Sequence, residues 1–366
     1  MEVSVYFYML LFRVLCVVKI SPLYDMKANS FRIYNKTNDY FCSLMKKSVK
    51  TPGHIALFIA NVIFGLNTPI SRSLLPDTVT PFTLTFFRMA GAMVLFWIVS
   101  LFVKREKVPA KDIGMLFFAS IFALVLNQMP FIVGLSRTSP IDASIVLTLL
   151  PIFSMFLAAI IIKEPITLKK ALGVFIGASG ALILILSHND MQVGEGNMVG
   201  NLIIITGILS YSLYLTLFKN LVSRYSPVTS MKWMFLFATV ISFPFCFRDV
   251  AQTDFAALDT GAWLRIGYVV CFATFLTYFL IPVGQKVLRP TTISMYNYLQ
   301  PIVASLVAVV LHMDSFGIEK IVSAALVFTG VYLVTRSKSR AQLEAEKSMG
   351  MASEISETGK PDNSAK

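Results

Sequence analysis

Ser136–Leu186 reads SRTSPIDASIVLTLLPIFSMFLAAIIIKEPITLKKALGVFIGASGALILIL, and its pattern returns at Lys286–Arg336, 150 positions on and without a gap. Pro140 falls on Pro290, Ser144 on Ser294, Pro151 on Pro301, Glu164 on Asp314 and Gly180 on Gly330. Both copies hold an apolar run broken by one proline, then a short charged turn, then a second apolar run carrying glycine. Coiled as a helix, a run of about 22 residues is about 33 Å long, enough to cross a hydrocarbon core. Two copies of a two-helix unit in one apolar chain indicate a membrane protein built by internal duplication.

Composition agrees. Of 366 residues 56% are apolar and only 14% are charged, which excludes an ordinary soluble domain. The apolar runs are continuous rather than alternating, so they suit helices and not an outer-membrane barrel. The formal net charge of +12 is the kind of excess that nucleic-acid binders carry. Here the basic residues sit between apolar spans, where they control orientation, and no nucleic-acid partner is expected. Cys16, Cys42, Cys246 and Cys271 are scattered without CxxC spacing, so neither a disulfide framework nor a metal site is expected.

The spacing predicts ten helical spans, at roughly 54–73, 81–103, 111–134, 141–162, 168–187, 198–219, 228–247, 261–284, 291–312 and 318–336. Residues 1–53 read as an N-terminal extension. Val3–Ile20 is apolar but interrupted by Arg13 and Lys19, while Met45-Lys46-Lys47 before the first clean span resembles a natural bacterial start. A further span or signal anchor is the alternative. Residues 337–366 are polar and aperiodic, and are expected to be a disordered tail.

Charge orients the spans. Lys104, Arg105, Lys107 and Lys111 fall between the second and third, Lys163, Lys169 and Lys170 between the fourth and fifth, and Lys286 and Arg289 between the eighth and ninth. The alternate connections are poor in lysine and arginine, and the Asp190–Glu195 loop has none. Both termini are therefore expected in the cytoplasm, with the protein in a bacterial inner membrane. Because each half holds an odd number of spans, equivalent helices must cross in opposite directions. The architecture expected is all-α: two inverted five-helix repeats over 54–187 and 198–336.

These features resemble the EamA-type drug/metabolite transporters. The resemblance rests on the two five-helix halves, GLNTPISR in the first span, Arg88 after TPFTLTFF, and a proline-centred fourth span closing on KEPITL. It implies a ten-helix inner-membrane carrier with a central cavity between the halves, moving a small metabolite without a cofactor. Lipid is the surrounding partner, and a homodimer is one assembly open to such a chain.

Polar residues inside apolar spans need a partner or a wet cavity. Asn67 precedes Pro69, which leaves the Gly65 carbonyl without its helical donor. The pair reads as a substrate-facing notch or as an interhelical hydrogen bond. Asn127 and Gln128 precede Pro130, and their equivalents are Thr277 and Tyr278. Adjacent helical residues point to different neighbours, so at most one of the two is expected to face a cavity squarely. Tyr211 and Tyr214 share a face of the sixth span. Tyr296, Asn297, Tyr298 and Gln300 crowd the ninth before Pro301. Asn67, Arg88, Asn127, Gln128, Tyr211, Tyr214, Tyr278, Tyr296, Asn297 and Gln300 are the expected substrate-binding residues, with Pro69, Pro151 and Pro301 as helix breaks. Arg88, well inside the second span, suits anion recognition or a structural anchor. Glu164 reads as a solvated partner of Lys163 or Lys169, and Gly173, Gly177 and Gly180 as a small-residue packing face.

Two other classes compete with the carrier. An intramembrane enzyme would need a base and nucleophile or a metal cluster within the spans, yet His54, His188 and His312 fall far apart at span ends. A channel would want a ring of like side chains or a filter loop, and no such pattern is present in the sequence.

Overall fold

The computed structural model describes residues 37–75, 77–138, 140–186, 198–310 and 318–338, with residue 342. The N-terminal residues through 36, the Asp190–Glu195 loop, the turn carrying His312 and Asp314, and nearly all of the expected tail lie outside the described residues. The chain divides into two compact units, residues 1–48 and 49–366, and apart from residues 37–48 of the first helix everything that follows lies in the second.

Among the described residues all regular structure is helical. The helices are α1 (Thr37–Arg72), α2 (Pro81–Ser100), α3 (Ala110–Ser120), α4 (Leu126–Arg137), α5 (Pro140–Leu147), α6 (Leu150–Ile161), α7 (Leu168–Leu186) and α8 (Met198–Leu217). They continue with α9 (Lys219–Arg224), α10 (Pro227–Gln252), α11 (Thr260–Val270), α12 (Thr277–Val287), α13 (Pro290–Met295), α14 (Leu299–Val310) and α15 (Ile318–Thr335). Eight stretches among the described residues are long and apolar enough to cross a membrane: 51–72, 81–100, 110–137, 142–161, 198–217, 227–252, 260–287 and 318–335. Large apolar side chains such as Phe102, Ile160, Leu168 and Leu264 stay exposed on the outside of the bundle, as lipid contact requires.

Local chemistry explains where the helices start and bend. Thr80 and Ser226 cap α2 and α10 alike: each hydroxyl accepts the amide N–H of the residue three on, and a proline fills the first helical position. Such a cap is worth about 1 kcal/mol. Between α3 and α4 the chain makes a π turn over Ile121–Val125, and between α11 and α12 another over Cys271–Leu276. The Leu126 amide reaches back to the Ile121 carbonyl, and the Thr277 amide to that of Phe272. Pro151 and Pro301 follow breaks: a turn at Thr148–Leu149 separates α5 from α6, and a 3-10 turn at Tyr296–Tyr298 separates α13 from α14. Pro69 departs from expectation. It lies inside α1 without ending it, because so near the helix end it costs one hydrogen bond and the next turn reforms with Ser73 N–H donating to the Pro69 carbonyl at 2.9 Å.

Packing brings three helix pairs close along their lengths: α7 with α15, α2 with α10, and α4 with α8. The first depends on glycine. A Cβ on Gly330 would stand 2.5 Å from the Gly173 carbonyl oxygen, and one on Gly180 would stand 2.9 Å from that of Ser323. Only bare backbone permits this approach, which supplies the van der Waals contact that joins helices in lipid. Gly284 of α12 takes the Leu57 side chain in the same way, and Gly65 lies against the Gln300 carbonyl. Phe96 of α2 stacks on Phe235 of α10, with ring centroids 5.5 Å apart, and closes the core from that side.

Candidate functional site

The helices converge on a central cleft with about 780 Å³ of empty space, its open mouth included. Asn67, Arg88, Asn127, Gln128, Tyr211, Tyr278, Asn297 and Gln300 line it, together with Asn61, Thr68 and Ser294. Phe64, Phe131, Leu147, Leu150, Ile208, Ile281 and Ile293 supply the apolar walls. A mostly apolar space with a few convergent polar groups is the form of a small-molecule site.

One corner is built around Arg88, which is 3% exposed. Its Nε donates to Gln128 Oε1 at 2.8 Å, and an Nη donates to Asn67 Oδ1 at 3.5 Å. Asn67 Oδ1 also accepts from Ser71 Oγ at 3.1 Å. Gln128 is thereby turned so that its amide nitrogen is fully buried, on the side of the Tyr278 phenol. On the far side Gln300 Nε2 donates to Asn61 Oδ1 at 3.0 Å, tying α14 to α1. Asn61 was legible only as a polar residue in an apolar run, the same signal that marks Asn67.

Asn127 and Gln128 both reach the cleft, where at most one was expected. They flank it on different sides. Asn127 Nδ2 donates to the Gly207 carbonyl of α8 at 3.1 Å, while Gln128 meets α2 through Arg88. The π turn just before them makes this arrangement, and Ser210 of α8 donates to its Phe122 carbonyl at 2.9 Å.

Two expected binding residues stand outside the lining. Tyr214 is buried behind Tyr211, stacked on it with centroids 5.7 Å apart, and its hydroxyl donates to Gln285 Oε1 at 3.1 Å. Tyr296 points away, its hydroxyl 2.6 Å from His54 Nδ1. Both tyrosines satisfy their hydroxyls between helices, as buried phenols must. Tyr278 does face the cleft, held edge-on by Phe235 and Phe64.

Glu164 is also corrected. Rather than solvated it is buried, with Oε1 2.8 Å from Lys170 Nζ and 3.4 Å from an Arg289 Nη. Arg289 donates further to the Val334 and Ser337 carbonyls. The partners are neither Lys163 nor Lys169 but Lys170, one residue on at the start of α7, and Arg289, from the loop before α13.

Comparison with known proteins bears on this arrangement. The family model for the EamA-like transporter family matches residues 51–186 and 198–336. An uncharacterized transporter of Archaeoglobus fulgidus is 24% identical over 259 residues, covering 71% of this chain and 90% of its own. The uncharacterized transporter YyaM of Bacillus subtilis is 23% identical, covering 76% of this chain and 93% of its own. A WAT1-related protein of Arabidopsis thaliana is 24% identical, covering 78% and 86%. A solved crystal structure superposes with a TM-score of 0.64 at 16% identity, over 79% of this chain and 96% of that one, which speaks to fold alone. With the family model matched in both halves, this multi-pass membrane protein belongs to the EamA-like transporter family.

Proposed function

We propose that the protein is a carrier that moves a small metabolite through the central cleft by alternating access, as an exporter or exchanger in the cytoplasmic membrane of a bacterium. The observation that carries this reading is the cleft itself: amide and phenol groups from both matched segments meet around one space at mid-bundle. In this reading α7 and α13–α14 are the fifth and ninth of ten spans, and the two halves are inverted repeats. The paired caps of α2 and α10, the π turns 150 positions apart and the breaks before Pro151 and Pro301 support the duplication. Pseudo-symmetric halves suit a carrier, because the same packing can be exchanged between them to open either face.

The test is counterflow. Purified full-length protein in liposomes preloaded with an unlabelled solute should transiently accumulate the labelled form, with saturation. A channel would equilibrate solute without counterflow, and an enzyme would alter it chemically.

A further inference from the structure

We infer that Arg88 and Gln128 form the recognition corner for a carboxylate, so that the solute carried is a monoanion with an apolar body. The inference rests on the cleft being the transport site, as proposed above.

The corner is rich in donors and poor in acceptors. A guanidinium offers five N–H donors and cannot be deprotonated. Here one donor is taken by Gln128 Oε1, and a second makes a long contact with Asn67 Oδ1. Both acceptors are neutral amides. Among the described residues no carboxylate pairs with Arg88, and no aspartate or glutamate lines the cleft. The Gln128 amide nitrogen adds further donors beside the charge, buried and with only the neutral Tyr278 phenol at hand. A buried charge ordinarily has an opposite charge at hand. A planar carboxylate with two oxygens would meet both the guanidinium and the amide, in the bidentate geometry that arginine favours.

The duplicated half argues against a purely structural role. Counted from its capping proline, the position in α10 that matches Arg88 in α2 is Met234, fully buried. Gln128 matches Tyr278, and Asn67, by the alignment of FGLNTPISR with YSLYLTLFK, matches Tyr214. Met234 and Tyr214 are buried without a charge, and Tyr278 enters the same cleft as a neutral phenol. A helix pair of this kind therefore closes without a guanidinium, and only one half retains one. Charge also selects among anions. One guanidinium with neutral amides balances a single negative charge, and a dianionic phosphate would stay uncompensated. The apolar walls, with Phe64, Phe131 and Leu147, then suit a hydrocarbon or aromatic body.

The probes are monocarboxylates of graded size, from propionate through benzoate to 4-phenylbutyrate, each paired with its own amide and with the matching amine. Binding to purified full-length protein is read as a shift in unfolding temperature with concentration. At least one carboxylate should stabilise the wild type at about tenfold or lower concentration than its amide, the span expected for a hydrogen bond to a charged group. Arg88→Gln should abolish that preference, and Arg88→Lys should retain part of it. Gln128→Glu, which supplies the missing anion internally, should remove carboxylate binding while the protein elutes as the wild type does. Equal stabilisation by acid, amide and amine, no response to any carboxylate, or undiminished binding in Gln128→Glu would overturn the inference. Counterflow of the same solutes keeps the two claims apart. Counterflow restricted to amides or amines would leave the carrier standing and sink the carboxylate, whereas specific binding without counterflow would do the reverse.

Discussion

Asn61 and Gln300 show what a single side chain decides in this cleft. Their amides join α1 to α14 across it, and removing Gln300 leaves the Oδ1 of the buried Asn61 without its partner. The cost of such an orphan is about 1–3 kcal/mol, equivalent to roughly a tenfold or larger loss of a state that needs the pair. Asn61→Ala and Gln300→Ala are expected to lower counterflow about tenfold at near-normal membrane abundance. Tyr296→Phe and Tyr214→Phe should leave the apparent KM unchanged, since those hydroxyls bond to His54 and Gln285 outside the lining. A KM shift in the two phenylalanine variants, with none in the alanine variants, would reverse the assignment of lining and support. Polarity at mid-span was enough to single out Asn67, Arg88 and Gln128, because an apolar solvent makes each polar group conspicuous. Which way a tyrosine turns was not legible. Tyr211 faces the cleft and Tyr214 backs it although both lie on one face of α8, because Gln285 of a distant helix draws the second hydroxyl away.

Elements carry the next layer, and the ends of α6, α7 and α13 carry its clearest device. Glu164 belongs to the first matched segment and Arg289 to the second, and the buried Glu164 pairs with both the half-buried Arg289 and the buried Lys170. On the same charge-derived side, Arg224 pairs with Asp112 at 3.2 Å, and Ser226 N–H donates to Glu106 at 2.9 Å. Each tie crosses between the segments, so opening that face requires all of them to part. Arg289→Gln leaves Glu164 to Lys170 alone and removes the tie to the other segment, whereas Arg224 is itself exposed, so Arg289→Gln should weaken the closed face more than Arg224→Gln. In a cysteine-free background with Ser294→Cys in the lining, Arg289→Gln should raise labelling by a maleimide presented on the cytoplasmic face severalfold. Unchanged labelling would reduce the cluster to a structural brace. The helices themselves were largely legible in the apolar runs and the 150-residue recurrence, and the caps follow from Thr80-Pro81 and Ser226-Pro227. The π turns at Ile121–Val125 and Cys271–Leu276 were not, since an inserted residue leaves the apolar pattern intact. The Glu164 cluster was invisible for another reason: it joins residues more than a hundred positions apart.

For the whole molecule, topology and energetics are the remaining questions. Reporter fusions at Lys107, Lys170, Arg224 and Arg289 should report cytoplasm, and fusions at Pro76, Glu195 and Asp254 the outside. A cytoplasmic signal at Glu195 would break the five-plus-five arrangement. Coupling follows from what the cleft holds. Proton-driven carriage needs a group whose charge changes between the two faces, commonly a buried carboxylate or a histidine. Among the described residues the lining has neither, and its one ionisable cation, Arg88, keeps its proton. Asp142 is buried at the start of α5 and His54 is engaged by Tyr296, both away from the lining. The expectation is therefore transport down the solute gradient, by facilitated diffusion or exchange. An imposed pH step should not concentrate solute in proteoliposomes, and a protonophore should not slow its entry. Concentrative uptake driven by the step and lost in Asp142→Asn would make Asp142 the proton carrier instead. If the solute is a carboxylate, each net transfer also moves one negative charge. The membrane potential is worth about 2.3 kcal/mol per charge per 100 mV, so an interior-negative potassium diffusion potential of that size should lower equilibrium uptake about fiftyfold. One-for-one exchange moves no net charge and should ignore the potential. Exchange that responds to voltage as strongly as net uptake would mean that a further ion travels with the solute.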